Sequence, residues 1–333
     1  MKSVLRALVI ACCMTLTVTG ARSAEILIST ENTADHFQTI FLQKFAATLN
    51  SEISEHRFRV IHSAQAFKDR DVAEALSTGR IAMAAPGIWH LGRFSADLNA
   101  LLLPSFMGLG SADVRKIVDG DFGTRLNQSL EKNLNVRVLG RWLDLGPAHI
   151  FTRNVAVNHF GDLRGLRIRY AGGEGNALRL KAMGAIPVLI PWPNVPDALD
   201  RKEIDGLLTT TSTVVSAALW KHGIAHAFLS YSYYPFYVPL ISHDVWARLK
   251  PATRDIILQV WEDMIDDGRK LAVTHQQASL ITAAQNNIDI ADPGMAERQK
   301  QRLVLLAHQG ELAATAGISQ SAVRTLTQIA GQP

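Results

Sequence analysis

From Glu25 onward the chain switches repeatedly between a hydrophobic period of two and one of three to four. Residues 25–30 (EILIST) read as a strand, and Phe37, Ile40, Phe41, Phe45 and Leu49 then recur at helical spacing. Asp35, with Gln38 three residues on, predicts the cap of that helix. Phe58, Val60 and His62 alternate in the next strand, residues 71–78 are helical and stop at Gly79, and residues 81–85 form a short apolar strand. Ser111 is placed to cap another helix; Leu126, Leu130 and Leu134 line the one after, and residues 136–143 return to a strand. The second third repeats the pattern, with strands at 166–170, 187–191 and 204–209 separated by helices at 174–183 and 195–201. Parallel neighbours need a crossover, so this alternation predicts an α/β fold with largely parallel sheets flanked by helices. After Lys250-Pro251, apolar pairs four apart (Ile256, Ile257, Val260, Trp261, Met264, Ile265) continue a helical pattern to about Asn287. Such a helix far exceeds the usual three turns and is long enough to bridge two bodies.

Before Glu25 stand Lys2 and Arg6, an apolar run over residues 7–18, and small residues up to Ala24. A charged start, a run too short to span a bilayer and a small-residue end make residues 1–24 a secretory signal peptide, cut after Ala21, Ser23 or Ala24. Its removal takes Lys2, Arg6 and Arg22 and leaves 31 basic against 30 acidic residues, so the basic balance of the full sequence is no argument for nucleic acid. Both cysteines, Cys12 and Cys13, lie in the leader, and the mature chain has neither disulfide nor thiolate chemistry. About 310 residues, nearly half of them apolar, suffice for two cores.

Enzyme signatures are missing: no His-Glu-x-x-His, Gly-x-Ser-x-Gly or Walker loop occurs. Gly173-Glu174-Gly175 follows a strand and opens a helix, but Leu178 fills the place of the third glycine of a dinucleotide fingerprint, so it reads as a turn. His222 and His226 lie four apart, yet Gly223 weakens the helix between them and no third ligand is near. No metal, cofactor or catalytic residue is expected. Arg167 and Arg169 are more pointed. They alternate with Leu166, Ile168 and Tyr170 and share one face of a strand. Ligands of α/β sheets gather beyond the carboxyl ends of strands, so Arg169, nearer that end, is the better anion-binding candidate. Spacing alone leaves solvation, pairing with an acid of the protein and anion capture all open.

The stretch from Gly161 to Thr210 orders three elements: Asp-Leu-Arg-Gly-Leu-Arg-Ile-Arg (162–169), Leu-x-Ala-x-Gly-Ala-x-Pro-Val (180–188), and Val-x-x-Ala-Leu (195–199) leading to Ile-Asp-Gly (204–206). This resembles the extracytoplasmic solute-binding proteins of tripartite ATP-independent periplasmic (TRAP) transporters, the DctP-like family. Looser similarities are the helix ending at Gly79, Leu103-Pro104-Ser105-Phe106, and the long helix after Trp246-x-x-Leu249. The resemblance implies a two-lobed periplasmic binding protein fold with a long inter-lobe helix. One lobe comprises residues 25–146 and 235–274, the other residues 147–234 and 275–330. It further implies a periplasmic monomer that closes on a small carboxylate ligand and delivers it to small four-span and large twelve-span permease subunits. The carboxylate-clamping arginine falls on Arg169, an aromatic beside the ligand on Trp192, a polar contact on Thr209, and a second cation on His149. Asn32, in the first strand–helix loop, and Tyr233 or Tyr234, in the SYSYYPF stretch, are further candidate contacts. Trp89, Trp142 and Trp220 read as core or rim. Where the family usually has Gly-Gln-Glu-Asn, this chain has Gly206-Leu207-Leu208-Thr209. A pocket lined by Trp192, Leu208 and Thr209 suggests an acid larger or less polar than a C4-dicarboxylate. The alternatives are a receptor of an ABC importer or sensor kinase, and, in another class, a periplasmic enzyme using His149 or His222 as base.

Overall fold

The computed structural model describes residues 24–329, so the leader expected over residues 1–24 falls, apart from Ala24, outside the described residues. The alternating segments build two main sheets with helices packed on them. One has five strands in the order His56–Ile61, Ala24–Ser29, Met83–Ala84, Leu240–Ser242, Val136–Val138. The other has six: Asp289–Ala291, His226–Tyr233, Ala148–Thr152, Gly206–Thr209, Arg167–Tyr170, Ile186–Leu189. Strands joined by a nearby helical crossover pair in parallel, as Ala24–Ser29 does with His56–Ile61 and Arg167–Tyr170 with Ile186–Leu189. Strands returning from distant sequence mostly pair antiparallel, although Asp289–Ala291 lies parallel to His226–Tyr233. Leu240–Ser242 inserts between Met83–Ala84 and Val136–Val138, and Ala148–Thr152 joins His226–Tyr233 to Gly206–Thr209. Both sheets are therefore mixed, because the crossover constraint acts only between neighbours in sequence.

The first helix, Phe37–Glu52, is capped by His36 and not by Asp35: His36 is extended and its Nδ1 accepts the Gln38 N–H at 3.2 Å. Gln38 instead turns inward. Its Oε1 accepts from Thr30 Oγ1 at 2.7 Å and Asn32 Nδ2 at 2.6 Å, and its Nε2 donates to the Ala85 carbonyl at 3.0 Å. This buried bracket fixes the loop that carries Glu31 and Asn32, since each of its polar groups is satisfied only in that geometry. Gly110 likewise stands where Ser111 was expected to cap its helix.

The pleat sends successive residues of the six-stranded sheet to opposite faces. Phe151 and Leu207 pack with Val195, Leu199 and Ala283 on one face, whereas Ile150, Ile168 and Leu208 join a larger core that continues through the five-stranded sheet. The helix Pro251–Gln285, 35 residues long, reaches both. Trp261 stands edge-on to Phe41 and Phe45 at 5.3 and 5.2 Å in the larger core, and Ala283 enters the smaller one. Between them Gln276 holds Ser212, accepting its N–H at 3.2 Å and donating to its hydroxyl at 2.8 Å, and also donates to the Leu145 carbonyl. Among the described residues no helix is long and apolar enough to cross a membrane.

Candidate functional site

Two residues apart on one strand face, Arg167 and Arg169 meet different fates. The Arg167 guanidinium forks onto Asp205, with Nε to Oδ2 at 3.0 Å and Nη2 to Oδ1 at 2.7 Å, and its side chain is 40% exposed. Arg169 is 2% exposed. Its Nε donates to the Ile190 carbonyl at 2.9 Å, its guanidinium carbon lies 5.6 Å from the centre of the Trp192 ring, and its buried Nη2 has no hydrogen-bond partner. Burial pushes its pKa down to about 10, against the opposing pull of Asp69, Tyr233, Tyr237 and Glu31; at neutral pH it remains a cation.

Arg169 faces a cavity. Glu31, Asn32, Asp69, Trp89 and Tyr237 form one wall, Trp192, Leu208, Thr209 and Thr213 join Arg169 on the other, and Tyr233, the last residue of its strand, and Pro235 lie where the chain leaves the six-stranded sheet. Asp69, 2% exposed, accepts the Trp192 backbone N–H at 3.0 Å and stands 3.4 Å from His90 Nε2, a close contact without hydrogen-bond geometry. Burial raises its carboxyl, but His90, the Trp192 N–H and Arg169 more than offset this and hold it below the usual range. Glu31 shows the other outcome: burial first, and Asp69 beside it, push its carboxyl up to about 7, with the Tyr237 hydroxyl against it.

Over residues 28–307 the sequence matches the family model of the bacterial extracellular solute-binding proteins, family 7, DctP. The chain belongs to the DctP family. It is 23% identical to the sialic acid-binding periplasmic protein SiaP of Vibrio cholerae, over 68% of this chain and 70% of that one. It is 24% identical to the C4-dicarboxylate-binding periplasmic protein DctP of Rhodobacter capsulatus, over 66% and 65%. The chain thus spans about two thirds of the length of these relatives. Among solved structures, the sugar acid binding protein DctPAm of Advenella mimigardefordensis, in complex with galactonate, matches with a TM-score of 0.86 at 18% identity, covering 92% of this chain and 97% of that one. A TRAP periplasmic solute-binding protein of Sulfurospirillum deleyianum with bound succinate matches with 0.84 at 18%, covering 92% and 99%. The fold is therefore that of the two-lobed periplasmic binding proteins, as the sequence implied.

Of the residues singled out in the sequence, this DctP-family chain brings Arg169, Trp192, Thr209, Asn32 and Tyr233 to one cavity. Tyr234 is buried outside the lining. His149 does not line the cavity either. It is 3% exposed, its Nδ1 accepts the Tyr231 N–H at 3.2 Å, and burial pushes its pKa down to about 3, so it is a neutral ring and not a second cation. His222 and His226 point to separate acids, Asp200 at 3.0 Å and Asp289 at 3.5 Å. No group of three side chains able to hold a metal occurs among the described residues.

Sequence reasoning missed Glu31, Asp69 and Tyr237, and read Trp89, which lines the cavity with a buried, unpartnered Nε1, as core or rim. Glu31 adjoins Asn32 and shared its signal; Asp69 sits in Lys68-Asp69-Arg70-Asp71, a run that resembles any solvated face. Arg179 was missed as well. Fully buried behind Tyr233, it stacks on that ring at 5.1 Å and donates to Asn176 and the Leu102 carbonyl, holding the wall in place. Besides Trp192, Leu208 and Thr209, the carboxyl groups of Glu31 and Asp69 and the amide of Asn32 line the cavity.

Proposed function

We propose that this chain is the exported receptor of a TRAP transporter, capturing a small organic acid by its carboxylate and delivering it to small and large membrane permease subunits. One observation carries the reading: Arg169 presents a buried Nη2 without a partner to a cavity. A desolvated, unpaired cation costs several kcal/mol, on the order expected for a buried charge, and a ligand carboxylate offers both the countercharge and the acceptors. Support comes from the relatives, whose names specify sialic acid, 2,3-diketo-L-gulonate and C4-dicarboxylates, and from structures holding galactonate and succinate. Residues 25–146 with 235–274, and 147–234 with 275–330, are taken as the two lobes. Ligand contact with both walls biases them toward closure. The signal peptide over residues 1–24 would place the receptor in the periplasm, where it acts as a monomer without turnover.

Arg169→Ala is the test. For acids identified by thermal-shift screening, calorimetry should show affinity lowered on the order of a hundredfold or more. The ligand-free protein should stay folded with a cooperative melt, because losing the Ile190 hydrogen bond and the attraction to Asp69 is offset by removing a desolvated guanidinium whose Nη2 has no partner. Unchanged affinity rejects the assignment.

A further inference from the structure

The carboxylate clamp leaves one of the two acids of its own cavity unexplained. Asp69 is committed, to the Trp192 N–H and to His90. Glu31 is not: 6% exposed, it has the Tyr237 hydroxyl against it, and no cation pairs with it among the described residues. Asn32, next in sequence, has its amide spent on Gln38 Oε1 at 2.6 Å and Tyr237 Oη at 2.7 Å. The wall opposite Arg169 thus offers a ligand acceptor oxygens, and Arg169 is the sole cation among the residues that line the cavity.

Resting on the reading of Arg169 as a carboxylate clamp, we propose that the captured acid carries a single carboxylate and that its far end bears hydrogen-bond donors, hydroxyl or ammonium groups, received by Glu31. A second carboxylate aimed at that wall would meet Glu31 and Asp69 with the cavity's one cation already engaged. Like charges in a desolvated site disfavour each other strongly, and an unpaired buried carboxylate is costly besides. Donors reverse the balance: a hydroxyl or ammonium hydrogen meets a buried carboxylate that no cation of the protein pairs with, and forms a charge-assisted hydrogen bond to it. An aliphatic tail would cover that carboxylate with apolar surface and add no donor. The raised pKa of Glu31 adds one condition. Asp69, Arg169 and Tyr237 are the titratable groups facing it, with His90 behind Asp69, and ionised Glu31 dominates only above neutrality.

The experiment is calorimetry at pH 8 on the exported chain with matched acids of four to six carbons: aldonates (erythronate, xylonate, gluconate) and 4-aminobutyrate, the plain alkanoates, and the linear dicarboxylates from succinate to adipate. Donor-bearing monoacids should bind most tightly, with the dicarboxylate of equal length about tenfold or more weaker. Glu31→Gln, which removes the charge and keeps the shape, should narrow that gap about tenfold by improving the dicarboxylate. A dicarboxylate or alkanoate as the tightest ligand, or a gap unmoved by Glu31→Gln, overturns the proposal while leaving the clamp intact. Failure of the clamp itself looks different: erythritol, with no carboxylate, would match erythronate, or Arg169→Gln would leave every affinity unchanged. Binding of no acid in any set counts against both.

Discussion

Arg167 and Arg169 have the same chemistry, and position alone divides their work. Arg167 forks onto Asp205 where the side chains are 40% and 31% exposed, so water screens the pair and it adds little to stability. Arg167→Ala should therefore leave ligand affinity within about twofold of wild type and lower the melting temperature only slightly. That is the control against which Arg169→Ala is read. Glu31 permits a second prediction at this scale. Its carboxyl, raised by burial and by Asp69 from 4.5 to about 7, binds its proton more tightly folded than unfolded. The resulting stability is complete below pH 4.5 and is lost as pH rises through 7, a difference on the order of 3 kcal/mol. His36 and His149 act in the opposite sense: burial lowers both from 6.5 to about 3, so their contribution is present above 6.5 and falls away in acid. Melting temperatures at pH 5 and pH 8 separate the two effects. Glu31→Gln should lose less stability than wild type over that interval, and equal losses would show that Glu31 ionises freely in the folded protein. That Arg169 and not Arg167 reaches the cavity was legible because a strand's direction and its carboxyl end are local properties. The burial of Glu31 and Asp69 was not, since an acid in a loop has the same sequence signature whether water or a cavity lies beyond it.

At the scale of elements, the six-stranded sheet delivers Arg169 and Thr209 to one place through a tight contact at Gly206. That residue pairs with Thr152 on one side and Ile168 on the other. A Cβ there would lie 2.2 Å from the Phe151 carbonyl oxygen and 2.9 Å from Thr152 Cγ2. Backbone cannot yield as a flexible side chain can, so Gly206→Ala must spread the strands. We expect a loss of about 1–3 kcal/mol or more in urea denaturation and a weakened site. A fully stable variant would show that the sheet accommodates a methyl group. The Ile-Asp-Gly motif announced a strand but not this packing, since periodicity reports which face a residue takes and not how closely the next strand approaches. The long helix was legible for the converse reason: Ile257, Val260, Trp261 and Ile265 carry its period within a few turns. The place of Leu240–Ser242 between Met83–Ala84 and Val136–Val138 was hidden, because pairing between distant segments leaves no local trace.

For the whole molecule, affinity depends on how often the two walls of the cavity stand closed. Three contacts tie them or brace them: the Trp192 N–H to Asp69 at 3.0 Å, His36 Nε2 with Thr213 Oγ1 at 3.2 Å, and Gln276 of the long helix holding Ser212. Thr213→Val keeps the side-chain shape and leaves a buried imidazole nitrogen without a partner only while the cavity is closed; it also removes the bond between the Thr213 and Thr210 hydroxyls at 2.9 Å, which lie on one wall and are lost alike in either state. Losing the His36 bond costs roughly 1 kcal/mol, so the competent population, and with it the affinity, should drop by about threefold to fivefold. The deficit should lie in the closing equilibrium and not in the ligand contacts. Small-angle scattering should accordingly show ligand-free Thr213→Val with a larger radius of gyration than ligand-free wild type, and saturating acid should bring the two to the same value. A variant that binds more weakly by that factor with an unchanged ligand-free radius would place the effect of Thr213 in direct ligand contact, and a variant with wild-type affinity would remove the His36 bridge from the closing mechanism.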